Sequence, residues 1–288
     1  MIPSTFNYHA PTTLDEAISL LGQYGEDGKI LAGGHSLLPM MKLRFAEPEH
    51  LIDINRIDSL RGIREEKGII HIGAMTTESE LIASDILNEQ CPIIPEAAKV
   101  IADPQIRNRG TLGGDIAHGD PGNDHPSIML ALDANFVLTG PNGERTVPAN
   151  GFFIDTFFTQ LEEGEILTEI QVPVFSNSTG SAYTKLKRKT GDFATAASAV
   201  VIELDGNTCK KITIALTNVG PTAFRATSAE DILTGKEIDN GLVEEAAQAV
   251  MEMCNPTEDP RGDVEYKTHM AAEMTRRSIN QAQERARG

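Results

Sequence analysis

The apolar positions of this 288-residue chain change period several times, and each change marks an element. Leu14, Ala17, Ile18 and Leu21 fall at i, i+3, i+4 and i+7, the spacing that gathers one helix face, and predict a helix from about Thr13 to Tyr24. Thr13 and Glu16 have the spacing of a capping box at its start. The short apolar run Lys29 to Leu31 predicts a strand entering the glycine turn Ala32-Gly33-Gly34-His35-Ser36, and a second strand, His50 to Ile54, follows a 13-residue connection. Ile69 to Ala74 predicts another strand. Thr77 and Glu80 repeat the capping pattern ahead of a helix ending near Leu87, and a further helix runs from about Ile93 to Ala102.

From Asp103 to Asp115 the chain loses apolar periodicity and is predicted to be loop. Strands follow near Asn135 to Thr139 and Ile166 to Val172, with the turn Pro141-Asn142-Gly143 between them. The polar, glycine-containing segment Phe175 to Ser181 is the predicted linker and divides the chain into residues 1–177 and 178–288. Beyond it, Ala182 to Lys187, Ala196 to Leu204 and Lys211 to Asn218 predict strands of an antiparallel sheet, and Gly241 to Cys254 and Val264 to Arg287 predict two closing helices. An α/β opening followed by an α+β layer makes the whole chain α+β. Its length, near twice that of an ordinary domain, also favours two domains.

Composition narrows the function more than the fold. Hydrophobic residues at 40% and charged residues at 23% describe a chain with a packed core rather than a disordered one. A net charge of −17 repels a phosphate backbone and an anionic membrane surface, so nucleic acid is excluded as a partner. A small phosphate ligand stays open, because backbone N–H groups can hold one without an excess of Lys or Arg. The N-terminus has no basic and apolar leader and no run approaches a membrane span, which reads as cytoplasmic. Cys91, Cys209 and Cys254 stand far apart without a C-x-x-C pair, so no disulfide framework, zinc site or iron–sulfur cluster is signalled within the chain.

Two glycine turns carry the candidate chemistry. Gly33-Gly34-His35-Ser36 and Thr111-Leu112-Gly113-Gly114-Asp115 each join an apolar lead, two adjacent glycines and a polar side chain. Without Cβ atoms the backbone can approach a ligand closely and turn its N–H groups toward one point, so the pair predicts a clamp on the two phosphates of a dinucleotide. Either turn alone is more often an ordinary structural turn than a site, and it is the pair together that points to a ligand. Neither matches the G-x-G-x-x-G or G-x-x-x-x-G-K-[ST] patterns of nicotinamide-dinucleotide and nucleoside-triphosphate sites. His118, Asp120, Asp124 and His125 are close in sequence, but the interleaved Gly119, Pro121, Gly122 and Pro126 predict a turn-rich loop rather than a metal site. His35 is as readily a packing residue as a phosphate contact. Lys185, Lys187, Arg188 and Lys189 read either as a solvated face or as a cofactor or subunit contact.

Three strings carry a resemblance that covers essentially the whole chain: Leu31 to Ser36, Ile101 to Gly114, and Lys185 to Ala194. They resemble the FAD-binding medium subunits of aerobic molybdenum-copper carbon monoxide dehydrogenases, within the xanthine-oxidase-type molybdenum hydroxylases. Related medium subunits serve nicotine, quinoline and aromatic acyl-CoA enzymes. The resemblance implies a two-subdomain FAD-binding fold of the vanillyl-alcohol-oxidase (PCMH) type, followed by a smaller α+β domain. It places Ala32, Gly33, Gly34, His35 and Ser36 around the pyrophosphate and has Thr111, Gly113, Gly114 and Asp115 complete the cradle. Asp124 matches a carboxylate that hydrogen-bonds the cofactor, and Leu167 and Lys185 match positions near the flavin ring. Phe193 stands where an aromatic residue covers the isoalloxazine, although the family more often has tyrosine or tryptophan there.

The implied partners are a large molybdenum-binding subunit and a small subunit with two [2Fe–2S] clusters, arranged as a dimer of heterotrimers. A quinone or respiratory carrier takes the electrons, which leaves open an association with the inner face of the membrane. Two rival readings remain: a free-standing FAD oxidase, which needs an acid or base that the sequence does not single out, and an assembly module that has lost its cofactor.

Overall fold

The computed structural model describes residues 2–288. It opens with a three-stranded parallel sheet built from β1 (Asn7–His9), β2 (Gly28–Leu31) and β3 (His50–Asp53), with β3 in the middle. Helix α1 (Leu14–Tyr24) packs on it through buried Ala17, which joins a small core with Ile52, Ile54 and Ile57. Thr13 caps α1 by accepting the N–H of Glu16, while the Glu16 carboxylate accepts the N–H of Thr12 rather than that of Thr13. The connection after the first glycine turn holds a helix, α2 (Leu37–Leu43), that the apolar pattern does not reveal. Pro39 lies inside it and Leu38 and Leu43 point outward, so no buried stripe announces it.

The hairpin β4 (Ile63–Glu66) and β5 (Ile69–Gly73) begins the second unit. The predicted capping box at Thr77 forms, with both reciprocal bonds to Glu80. The single helix expected after it is two, α3 (Glu78–Ala83) and α4 (Asp85–Gln90), because Ser84 turns extended and caps the second through its hydroxyl. After α5 (Ile93–Val100), the segment predicted as loop holds α6 (Pro104–Arg107) and the start of α7 (Leu112–His118). Asp103 caps α6 and Thr111 caps α7, so these helices are set by their caps rather than by an apolar stripe. The glycines in the first turn of α7 further lower its helical signal.

Helix α8 (His125–Ala131) is buried throughout. The turn at Pro141 and Asn142 joins β6 (Asn135–Gly140) to β7 (Gly143–Pro148), a strand the sequence reading omitted, rather than leading directly to Ile166. A small hairpin of β8 (Phe153–Asp155) and β9 (Phe158–Thr159) precedes β10 (Ile166–Pro173). The five long strands pair antiparallel in the order β4-β5-β10-β6-β7.

The chain crosses to a third sheet with β11 (Thr179–Leu186), which starts inside the predicted linker. Its polar first residues still ladder with β12 (Ala196–Asp205), which pairs in turn with β13 (Thr208–Thr217) and the short β14 (Phe224–Arg225). Helices α9 (Thr227–Leu233), α10 (Asn240–Met253) and α11 (Val264–Arg287) complete the fold. Both faces of this sheet are covered. Ala196, Val200, Ile202 and Leu204 of β12 pack with residues of the closing helices, whereas Ala197 and Ala199 join the core that contains α8. That double burial explains the nearly unbroken apolar run of β12.

Candidate cofactor site

The fold brings the two glycine turns into contact. The first leaves β2 with Gly34 at φ 80°, and the carbonyl of Ala32 accepts a bond from Asn55 Nδ2 at 2.8 Å. Asn55 is itself held by Asp53 through its backbone N–H at 2.9 Å and its Nδ2 at 2.7 Å. A Cβ on Gly33 would lie 2.3 Å from the carbonyl oxygen of Arg109 and 2.9 Å from Gly110 Cα, so only glycine lets this turn rest on the backbone entering the second. Gly113 meets the same kind of limit, since a Cβ there would lie 2.4 Å from Ala74 Cβ. Its N–H donates to the Ala74 carbonyl at 2.9 Å, locking the second turn onto the strand end after β5.

The turns do not offer the same chemistry. Among the described residues, the N–H groups of Gly33, Gly34, His35 and Ser36 meet no protein acceptor, an arrangement suited to an anionic ligand. In the second turn the N–H groups are engaged within the protein: Leu112 to Thr76 O, Gly113 to Ala74 O, Gly114 to Thr111 Oγ1 and Asp115 to Thr111 O. The expected clamp of two donor turns is therefore one donor turn and one shaped wall, because the second turn is the capped first turn of α7. His35 is exposed, and the Ser36 side chain makes no capping bond to α2.

Asp115 carries the wall's distinctive group. Its Oδ2 is buried without a protein partner, and burial raises its pKa from 3.8 to about 8, with Glu78, Asp124 and Asp120 adding repulsion and His125 opposing. Behind it, His125 Nε2 bonds Glu78 Oε2 at 2.8 Å, both side chains being buried. Burial disfavours the imidazolium, but the charge of Glu78 and its bond prevail and raise His125 to about 9. His125 Nδ1 is a second buried atom without a partner.

Asp124 faces the second half of the chain. Its Oδ1 accepts from the Tyr183 hydroxyl and its Oδ2 pairs with Lys185 Nζ at 2.7 Å, in a site where both charged side chains are almost fully enclosed. Asn123 Nδ2 ties this loop to the carbonyl of Asp115 at 2.9 Å. Phe193 lies on the same loop's other side, with a ring carbon 3.4 Å from the position of a Cβ on Gly122, and remains 44% exposed. Leu167 is buried in β10 beside a bulge, and Ala74 donates its N–H to Thr168 O next to it. The predicted residues thus form one connected region, except that Asp124 and Lys185 are committed to each other and Leu167 belongs to the core.

The basic cluster is not a single face. Lys185 is the buried ion-pair partner, Lys187 Nζ donates to Val100 O at 2.8 Å, and Arg188 binds Asp192 at 2.8 Å. His125 and Asp124, adjacent in sequence, likewise turn to different partners. Sequence reasoning missed Tyr183, Asn123 and Glu78. Tyr183 was within reach of it, since it precedes Lys185 by two residues and so shares its face of β11. Glu78 carried no signal apart from its helix, because its partner is 47 residues away.

A wall of abutting glycine turns, one presenting free N–H donors and the other a buried carboxyl oxygen without a protein partner, suits an extended anionic cofactor. Residues 4–175 match the model of the FAD binding domain in molybdopterin dehydrogenase, and residues 181–282 match the CO dehydrogenase flavoprotein C-terminal domain. The chain belongs to this two-domain family of molybdopterin-dehydrogenase flavoproteins, and FAD is its cofactor. It is 61% identical to the carbon monoxide dehydrogenase medium chain of Hydrogenophaga pseudoflava, over 98% of both chains. Identity is 48% to the medium chain of Afipia carboxidovorans, over the full length of both. The structure of carbon monoxide dehydrogenase from Hydrogenophaga pseudoflava lacking the Mo-pyranopterin moiety matches with a TM-score of 0.98, covering 99% of each chain. The residues present fit the cofactor: the donors of Gly33 to Ser36 suit its phosphates, and the orphaned Asp115 oxygen offers a further polar contact.

Proposed function

We propose that this chain is the flavoprotein subunit of a carbon monoxide dehydrogenase, taking electrons from partner subunits and releasing them to a quinone or respiratory acceptor. The observation that carries this reading is the pairing of the two glycine turns at Gly33 and Arg109-Gly110, in a chain whose three cysteines are scattered. The proposed partners are a large molybdenum-binding subunit and a small subunit with two [2Fe–2S] clusters, in a dimer of heterotrimers in the cytoplasm, at or near the inner face of the membrane. Residues 1–177 form the proposed FAD-binding domain and residues 178–288 the second domain. Both family-model matches fall on their own side of that division.

Bound FAD supplies a centre that accepts electrons one at a time and passes them on. In this reading the N–H groups of Gly33, Gly34, His35 and Ser36 bind its pyrophosphate, while Thr111 and the two glycines of α7 shape the opposite wall. Asp115, protonated near neutral pH because it is buried, donates a hydrogen bond toward the cofactor where an ionised carboxylate would repel phosphate. Asp124 and Lys185 act mainly by holding the two domains in register, and Leu167 backs the site from the core. Phe193 covers the flavin face and keeps water and small oxidants away.

Co-expression with candidate large and small subunits tests the proposal. A purified complex should contain this chain and flavin, and should reduce a quinone analogue with carbon monoxide. Omitting the chain should abolish quinone reduction. A complex that forms without flavin, or reduces the quinone equally well without this chain, would overturn the reading.

A further inference from the structure

We propose that Arg261 is a positioning residue for the cofactor site, holding Phe193 as a shutter over its outer edge and so restricting which oxidants reach it. The inference rests on the reading of Phe193 as the aromatic residue that covers the flavin. Phe193 lies in the loop between β11 and β12, which includes Gly191 at φ 85°. With nearly half its surface exposed, Phe193 is not fixed by burial alone. Its orientation needs another source.

Arg261 provides one. Its guanidinium carbon stands 5.4 Å from the centroid of the Phe193 ring, within reach of a cation–π contact. The same guanidinium binds Asp192 Oδ1 through Nε at 3.0 Å and Nη2 at 2.9 Å, gripping the residue next to the aromatic. Arg188 Nε holds the other oxygen of Asp192 at 2.8 Å, and Arg188 Nη1 reaches back to Pro260 O at 3.0 Å. Two arginines therefore clamp one almost enclosed carboxylate from opposite segments.

Arg261 is itself anchored. Asp259 accepts its backbone N–H at 2.7 Å and its Nη1 at 3.2 Å, and also pairs with Lys267 Nζ at 3.1 Å. Lys267 is 1% exposed and donates to Thr257 O at 2.9 Å, so the line of charges ends in a fixed point on α11. On the near side, Asn218 Nδ2 holds Ala194 O at 2.6 Å, confining the loop just after the aromatic. The strap runs from Lys267 through Asp259, Arg261 and Asp192 to Phe193, whose ring closes on Gly122 in the loop leading to Asp124. Restraint of Phe193 at this point favours electron release to a docked acceptor over loss to oxygen.

The test compares Arg261→Gln, Arg261→Lys, Asp259→Asn and Phe193→Ala in the assembled, flavin-loaded protein, with every reading normalised to bound flavin. The flavin is reduced anaerobically and mixed with oxygen, which takes two electrons and two protons to become hydrogen peroxide. Iodide quenching of the oxidised flavin's fluorescence reports access independently. Arg261→Gln should raise both the oxygen rate and the quenching constant on the order of five-fold, toward the Phe193→Ala values. Arg261→Lys should recover part of the difference, since lysine keeps the charge but not the planar fork. Asp259→Asn, which loosens Arg261 without removing it, should give a smaller rise in the same direction even if Arg261→Gln folds poorly. If Phe193→Ala opens the site while the Arg261 and Asp259 variants match wild type, the strap is refuted and the reading of Phe193 stands. If Phe193→Ala also matches wild type, that reading fails as well.

Discussion

Gly33→Ala is a single-methyl test of the contact on which the site depends. A Cβ there would sit 2.3 Å from the carbonyl oxygen of Arg109 and 2.9 Å from Gly110 Cα. Both obstacles are backbone, so no flexible side chain can move aside, and the turns must separate by about 1 Å to restore ordinary contact. Overpacking of this kind costs about 1–3 kcal/mol in stability. Because the donors of Gly33 to Ser36 move relative to the wall at Thr111 to Asp115, a similar penalty should fall on cofactor binding, lowering FAD affinity by roughly 10- to 100-fold. Gly22→Ala is the control, since a Cβ at Gly22 meets nothing within 4 Å and the position is helical. Flavin content per chain after extensive dialysis, together with fluorescence titration of the stripped protein with FAD, measures the effect. Full retention of flavin and unchanged affinity in Gly33→Ala would refute the argument that close apposition of the turns builds the site.

Lys185→Met should lower stability by about 3–5 kcal/mol, because it leaves the enclosed Asp124 carboxylate with only Tyr183, and adding Asp124→Asn should recover much of that loss. Equilibrium denaturation of the single and double variants checks this, and additive effects would show that the pair is not coupled. The pH dependence of stability follows from Asp115 and His125, whose folded pKa values of about 8 and about 9 lie above their ordinary values of 3.8 and 6.5. Each contributes stability that is fully present below its unfolded pKa and is lost as pH rises through its folded one. The Asp115 contribution is lost between pH 3.8 and about 8 and that of His125 between pH 6.5 and about 9, so both weaken the flavin-free chain between pH 6.5 and 8, and Asp115→Asn should flatten the slope there. Denaturant midpoints across that range measure it, and an unchanged slope in the variant would contradict the burial argument.

Much of the fold was legible wherever a buried stripe or a cap left a repeating pattern. The spacing of Leu14 to Leu21 located α1, and the closing helix runs from Val264 to Arg287 as predicted. Elements without such a pattern were missed. Helix α2 turns Leu38 and Leu43 to solvent, α7 carries two glycines in its first turn, and β7 alternates weakly because only Val147 of its residues is a buried apolar side chain. The site was half legible for a related reason. Adjacent glycines are visible in a sequence, but whether their N–H groups are free depends on what the next residues do. At Gly33 and Gly34 they stay free, whereas Gly113 gives its N–H to the Ala74 carbonyl and Gly114 gives its own to the capping hydroxyl of Thr111. The Asp124–Lys185 pair and the line from Lys267 to Phe193 join residues tens of positions apart, and only the folded chain brings their charges together.

On the proposed function this chain carries electrons without itself generating them from carbon monoxide. Anaerobic mixing of the FAD-loaded chain with carbon monoxide, followed by flavin absorbance, tests it most directly. The flavin should stay oxidised with the chain alone and bleach rapidly once the molybdenum-bearing and iron–sulfur subunits are added. Rapid bleaching of the lone chain would refute the division of labour between subunits and identify the protein as a free-standing oxidoreductase.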